Sequence, residues 1–509
     1  MRLIPDPIDW IDVAAGHSHR PFLKLPAGSH FSYAALLDQS GRIAAALIER
    51  GVEPGDRVAV QVDKSADAVF LYVACLRMGA VFVPINVANT PNEVEYFLCD
   101  SRPRLAVIRP QDQNLIEPSA RRAQVDCIET LGADGGGSLL RRASTMAADF
   151  ASPRTLRPDA IAAIIYTSGT TGRAKGAMLT RANLASNAAV LAEAWRFRPD
   201  DVLLHALPLF HIHGLFVAIN TVLASMSSLL LLPKFDAAEA LEYFPRSTVY
   251  MGVPTHYTRL LQQRKLDRDT TASLRLFVSG SAPLPADTHR EFQQRTGHVI
   301  LERYGMSETM MNTSNPYDGV RLPGSVGPPL QGTSMRVANA ETGAVEEGPD
   351  VVGTLQVKGP NVFAGYWRAE EKTRAEFTSD GWFKTGDVGC IDRNGYVHIV
   401  GRAKDLVISG GYNVYPKEVE SELDAVEGVL ESAVFGVPHP DFGEGVTAVV
   451  VAKPGATLSE EAIIESVKPR LARYKVPKRI LLVDELPRNS MGKVQKNALR
   501  KTFAAIYAA

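Results

Sequence analysis

Two kinds of block alternate along the first part of the chain. One is a short apolar run, as in Arg57-Val58-Ala59-Val60-Gln61-Val62, Val81-Phe82-Val83-Pro84-Ile85, Leu105-Ala106-Val107-Ile108 and Ala160–Tyr166. The other carries apolar residues at helical spacing: 32–51 closing on Gly51, 66–80 closing at Gly79, 91–101 with Pro91 in its first turn, 180–196 and 284–296. Short buried strands alternating with helices predict parallel sheets covered on both faces. Further strands are expected at 202–207, 247–251 and 274–279. From Gly353 to His398 the spacing changes to short strands and turns, with Asn394-Gly395 as a hairpin signal. Gly401-Arg402-Ala403-Lys404-Asp405 marks a boundary. Beyond it lies a separate α+β pattern: helix 416–425, strands 431–437 and 446–452, helix 459–473 and strand 479–484. The predicted organisation is a large α/β domain over residues 1–401 and a smaller α+β domain over 402–509.

Length and composition narrow this picture in a few places. At 509 residues the chain exceeds what one hydrophobic core organises, which agrees with two domains. Lys+Arg 55 against Asp+Glu 56 leaves a net charge of -1, so neither nucleic acid nor an anionic membrane is an expected partner. Four cysteines, Cys75, Cys99, Cys127 and Cys390, lack metal or disulfide spacing and predict reduced residues of a cytoplasmic protein. The first residues, Met1-Arg2-Leu3-Ile4-Pro5-Asp6, lack the apolar core of an export signal. Gly214–Leu232 carries no charge, yet its Asn220, Thr221, Ser225, Ser227 and Ser228 favour a buried helix and strand ending at Pro233 over a membrane span.

The chemistry centres on Tyr166-Thr167-Ser168-Gly169-Thr170-Thr171-Gly172-Arg173-Ala174-Lys175-Gly176. Glycines permit tight turns and close backbone approach to an anion, hydroxyls add donors, and Lys175 adds charge. The Walker pattern is excluded, because Gly176 follows Lys175 where Ser or Thr is needed. Four further stretches carry chemistry-bearing residues: Glu302-Arg303-Tyr304-Gly305-Met306-Ser307-Glu308-Thr309, Trp382-Phe383-Lys384-Thr385-Gly386-Asp387, Gly401–Glu420, and Pro487-Arg488-Asn489-Ser490-Met491-Gly492-Lys493-Val494. His211 and His213 in Leu207–Gly214 are two histidines without a third ligand cluster, so a metal centre is not expected there.

These stretches, in this order, resemble the signatures of the adenylate-forming superfamily of acyl-CoA synthetases, peptide-synthetase adenylation domains and luciferases. Ala174 departs from the usual proline, and Ser307 from the usual threonine. The resemblance implies parallel sheets covered by helices, a small β-barrel-like region, and a C-terminal domain that is mobile about Lys404. It implies that Thr167, Ser168, Gly169, Thr170, Thr171, Gly172 and Lys175 bind the phosphates of ATP. Gly280, Ser281, Ala282, Tyr304, Gly305, Met306, Ser307, Glu308 and Thr309 follow around the nucleotide, with Tyr304 against adenine and Asp387 and Arg402 at the ribose. Mg²⁺ falls to Glu308 and Thr167. The resemblance implies that Lys493 is the catalytic lysine of acyl-adenylate formation; since acylation would remove its charge, Lys493 is also a candidate control point. Ser409, Gly410, Gly411 and Tyr412 line the path of the CoA thiol. Because no carrier domain follows residue 509, free CoA is the expected acceptor.

Gly252-Val253-Pro254-Thr255-His256-Tyr257-Thr258-Arg259, Leu207–Gly214 and Glu302–Asp318 are similar to the malonyl-CoA and methylmalonyl-CoA synthetases of that superfamily. The resemblance implies malonate as substrate, Arg259 at its distal carboxylate, and His211, Ser279 and Met306 in the acid pocket. A monocarboxylate ligase with an apolar pocket and a non-catalytic adenylate-binding protein remain as alternatives. So does a peptide-synthetase adenylation domain, which requires an acidic pocket residue and a downstream carrier.

Overall fold

A computed structural model describes residues 6–153, 155–167, 174–340, 342–489 and 492–507. The alternation of apolar runs and helices folds into two sheets that share one core. The first has seven strands. Its central strands, Ile161–Thr167, Val81–Pro84, Arg57–Gln61, Leu105–Ile108 and Ile128–Thr130, run parallel. The second has eight strands. Its parallel part runs Leu301–Met306, Leu276–Ser279, Val249–Gly252, Val202–His205, Ser228–Leu231 and Pro21–Lys24. The helix Ala66–Met78 is apolar on nearly every side and is buried accordingly, between its own sheet and the helices of the other. Tyr72 donates to Asn220 Oδ1 at 2.9 Å, which ties this helix to the second sheet's crossover.

Three local outcomes differ from the expected pattern. Ile161–Thr167 is not followed by a parallel crossover; it turns back as an antiparallel hairpin into Lys175–Thr180, with Thr167 opposite Lys175. The run beginning at Gly214 is helical, but His213–Ile219 is wound as a π-helix, with Val217 N–H donating to Ile212 O at 2.8 Å. Such wide turns recur at functional sites. The helix expected over 459–473 ends at Val467, because Pro469 lacks the donor that another turn requires.

Ser334–Ala338, Gly353–Lys358, Phe383–Ile391 and Val397–Arg402 form a four-stranded antiparallel sheet with its own small apolar cluster. After it comes a sheet centred on Gly443–Ala452, with Val429–His439 along one side and Val407–Ser409, Tyr412–Val414 and Arg479–Leu482 on the other. Helices Pro416–Asp424 and Glu460–Val467 cover one face, and Lys496–Thr502 packs on the other. Among the described residues, no helix is long and apolar enough to cross a membrane.

Candidate functional site

Parallel strands gather their carboxyl ends on one edge, and an open α/β sheet binds ligands in the crevice outside that edge. Four connections meet there from the eight-stranded sheet: the chain after His205, the turn at Gly252-Val253-Pro254, Ser279–Ala282, and the end of Leu301–Met306. The hairpin carrying Thr167 and Lys175 faces them from the other sheet.

Strand Leu301–Met306 divides the site. Side chains alternate across a strand, so Arg303 points to one side and Glu302 and Tyr304 to the other. On the nucleotide-like side, the Tyr304 hydroxyl donates to the Asp387 carboxylate, which also accepts from Arg402 Nε at 2.7 Å. Asp387 and Arg402 are cross-strand partners in the four-stranded sheet, and Asp387 is buried. At the tip, Gly305–Thr309 turns into the strand Met310–Ser314. A Cβ on Gly305 would sit 2.0 Å from the Met310 carbonyl oxygen, so only glycine fits.

Glu308 follows the turn and is 7% exposed. Tyr366 donates to its Oε1 at 3.0 Å, and Thr167 Oγ1 lies 3.5 Å from the same oxygen. Burial pushes its pKa up. A carboxylate held this way with a hydroxyl alongside is half of a hard-cation site. No group of three or more His, Cys, Asp or Glu able to hold a metal exists among the described residues, so the remaining ligands would have to come from substrate oxygens or water. Lys175 Nζ stands 4.8 Å from the centre of the Tyr366 ring and 3.6 Å from Glu376. Ser168, Gly169, Thr170, Thr171 and Gly172 lie outside the described residues.

The other side of the strand holds the feature that sequence reasoning left unassigned. Arg303 is 3% exposed, and its Nε and Nη2 have no hydrogen-bond partner. Gly280 lies directly against it; a Cβ there would fall 2.4 Å from the guanidinium carbon. Burial without a counter-charge pulls Arg303 down to about 9. Its charge reaches His211 and His213, which burial keeps neutral; His211 is lowered to about 4. Ser281 Oγ lies 3.3 Å from His213 Nδ1, at a backbone φ of +72°, a strained conformation for a non-glycine residue. The Ser279 hydroxyl is buried and unpartnered. The arrangement is donor-rich, and Arg303 has no ion-pair partner among the described residues. Met306 is half-buried against the main core, its sulfur 3.7 Å from the Tyr304 hydroxyl. The signal available in the sequence was an arginine in a strand end of otherwise buried pattern.

Arg259, by contrast, sits exposed on the helix Pro254–Leu261, where its charge is felt by His256. Lys493 arrives from the C-terminal part on a turn beside Thr255, and its charge reaches His211. Its own pKa is lowered by its surroundings and by the charge of Arg402. Lys404 lies exposed in the short turn Ala403–Asp405. Of the Ser409–Tyr412 loop, Ser409 is buried, while Tyr412 is 59% exposed and stacks on Tyr474 at 4.7 Å, away from the pocket.

Residues 11–367 match the model of the AMP-binding enzyme family, and residues 418–493 match the AMP-binding enzyme C-terminal domain. The chain belongs to the AMP-binding enzyme family. Within the family it is similar to ATP-bound MatB from Rhodopseudomonas palustris, with 53% identity, a TM-score of 0.96, and 99% of this chain and 100% of that one covered. Against apo MatB from the same organism, with the same identity and 99% of each chain covered, the TM-score is 0.85. The arrangement described above is therefore nearer to the ATP-bound form. Human malonate–CoA ligase ACSF3, mitochondrial, is 36% identical over 88% of this chain and 83% of that protein. The sulfoacetate–CoA ligase of Cupriavidus necator is 36% identical over 95% of each.

Proposed function

We propose that this protein is a malonate–CoA ligase that converts malonate, ATP and CoA to malonyl-CoA, AMP and pyrophosphate through malonyl-AMP. The observation that carries this reading is Arg303. A buried guanidinium without a counter-charge is strongly unfavourable, and a substrate with a second carboxylate supplies the missing charge where a monocarboxylate does not. Arg forks onto a carboxylate with two parallel N–H···O bonds. The relatives named for malonate and sulfoacetate act on acids with a second anionic group, which supports the same assignment.

In this reading Arg303 takes the distal carboxylate, with Ser279 and His211 as neutral donors or walls, Met306 at the boundary, and Arg259 at the rim. The reacting carboxylate then points along the strand end toward the nucleotide. Tyr304 flanks the adenine, and Asp387 and Arg402 hold the ribose. Gly280, Ser281, Ala282, Gly305, Ser307 and Thr309 shape the walls, and Thr167 and Lys175 face the phosphates together with the loop 168–172. Mg²⁺ would lie at Glu308 and Thr167, where it would neutralise phosphate charge. Attack by the carboxylate oxygen on the α-phosphorus forms the acyl-adenylate and releases pyrophosphate. Lys493 stabilises the charge that builds on the phosphoryl oxygens. Acylation of Lys493 would remove that charge and stop this half-reaction.

We assign residues 1–401 and 402–509 to separate domains, since the C-terminal segment carries apolar clusters of its own. Rotation about Lys404 would withdraw Lys493 and bring Ser409, Gly410, Gly411 and Tyr412 to the site, where the CoA thiol attacks the acyl-adenylate. The test is pyrophosphate release with malonate, methylmalonate, acetate and octanoate, for the wild type and Arg259→Ala. Malonate is expected to be the best of the four, or to share that place with methylmalonate. Equal turnover of acetate or octanoate overturns the assignment, and an unchanged malonate KM in Arg259→Ala removes Arg259 from it.

A further inference from the structure

Lys493 is a long, solvent-reaching side chain, and something must fix where it starts. It follows Gly492, which has a backbone φ of +73° and no side chain to anchor it. A Cβ on Gly492 would lie 2.8 Å from Thr255 Oγ1, so the turn abuts the helix Pro254–Leu261. Within the turn, Gly492 N–H donates to Asn489 O at 2.9 Å, Lys493 N–H to Asn489 Oδ1 at 2.9 Å, and Asn489 N–H to Lys493 O at 3.0 Å. Those bonds close the turn on itself. Val494, next to Lys493, packs on the apolar cluster of the small sheet, and Arg488 adds a polar tie: its Nη1 donates to the Gly492 carbonyl at 2.5 Å, while its Nη2 donates to the Glu431 carboxylate. Glu431 belongs to the strand Val429–His439, which pairs along its length with the central strand Gly443–Ala452 of that sheet. Both side chains are partly shielded, at 28% and 26% exposed. The planar guanidinium therefore spans from the strand Val429–His439 to the carbonyl immediately before Lys493, a two-direction grip that a lysine ammonium does not reproduce.

We infer that Glu431 is a positioning residue for Lys493, acting through Arg488 to set the Gly492 carbonyl and hence the origin of the catalytic side chain. The inference rests on the reading of Lys493 as the residue of acyl-adenylate formation. It confines the effect of Glu431 to that half-reaction, because thioester formation proceeds with Lys493 withdrawn. Misplacing a catalytic group by about 1 Å lowers rates by as much as ~10²-fold, and partial loosening of one anchor places Glu431→Gln at about tenfold.

The full-length enzyme is assayed for malonate-dependent ATP–pyrophosphate exchange, which reads the first half-reaction. AMP-dependent release of CoA from malonyl-CoA reads the second in reverse. Glu431→Gln and Arg488→Lys are expected to lower exchange about tenfold and leave CoA release within about twofold. Glu431→Asp is expected to recover part of the exchange. Adding Glu431→Gln to Lys493→Ala is expected to produce no further loss, since residues acting through one group are not additive. The inference is overturned if both half-reactions fall together, if exchange is unchanged, or if Glu431→Gln weakens the Lys493→Ala enzyme by the same factor as the wild type. Full exchange in Lys493→Ala alone sinks the underlying reading of Lys493 by a separate result.

Discussion

Arg303→Gln removes the charge of the buried guanidinium while keeping a polar side chain of intermediate length. In the structure Arg303 is 3% exposed, has two unpartnered nitrogens, and has the neutral His211, His213 and Tyr257 and the Gly280 backbone near it. A distal carboxylate bound there forms a desolvated charge pair. Removing one partner of such a pair costs about 2–5 kcal/mol, and a tenfold change in rate corresponds to about 1.4 kcal/mol. Malonate kcat/KM is therefore expected to fall by about 10²–10³. The same substitution relieves an uncompensated charge in the free enzyme. Acetate turnover should then stay level or rise, and the melting temperature without substrate should rise. Saturating malonate should raise the melting temperature of the wild type by mass action and leave that of the variant nearly unmoved. The assay is pyrophosphate release over a series of malonate and acetate concentrations, with thermal melts alongside. A malonate kcat/KM within about threefold of wild type, or an equal loss for both acids, refutes the argument that Arg303 is the second-anion site.

Two further outcomes follow from the same geometry. Burial raises Glu302 to about 7 against the pull of the Gly324 N–H and the Lys417 charge. An acid raised in the folded state holds its proton more tightly there, so its contribution is complete below the ordinary carboxylate range and is lost as pH rises toward 7. Glu302→Gln should thus be about as stable as the wild type near pH 4 and more stable at pH 8, by on the order of 3 kcal/mol; equal stability at pH 8 would count against it. Gly492→Ala places a Cβ in the left-handed region and against Thr255, which costs about 1–2 kcal/mol locally. ATP–pyrophosphate exchange should drop about tenfold with little change in reverse CoA release, and an unaffected exchange rate would show that the turn does not set Lys493.

The sequence by itself determined the strands and helices, because their signals are local. Periodicity, Gly51 and Gly79 closing helices, and Pro91 in a first turn all act within one or two turns of chain. It also singled out stretches that end or follow strands of the parallel sheet, such as Gly252–Arg259 and Glu302–Thr309, whereas Asp387 lies in the antiparallel sheet and Lys493 on a turn of the C-terminal part. Its limits are equally physical. Whether Ile161–Thr167 continues into a crossover or a hairpin depends on which strand is its neighbour, and both alternatives satisfy the same apolar run. Arg303 and Tyr304 are adjacent in sequence, yet the strand sends one toward His211, His213 and Gly280 and the other toward Asp387 and Arg402. Resemblance alone puts Arg259 at the distal carboxylate, and whether its side chain is exposed, as it is here, is decided by the fold. The decisive property of Arg303 is what it lacks, a counter-charge among the described residues that bury it. Only the tertiary structure decides this, because being buried and unpaired depends on every residue brought around a group and not on the residues beside it in the chain.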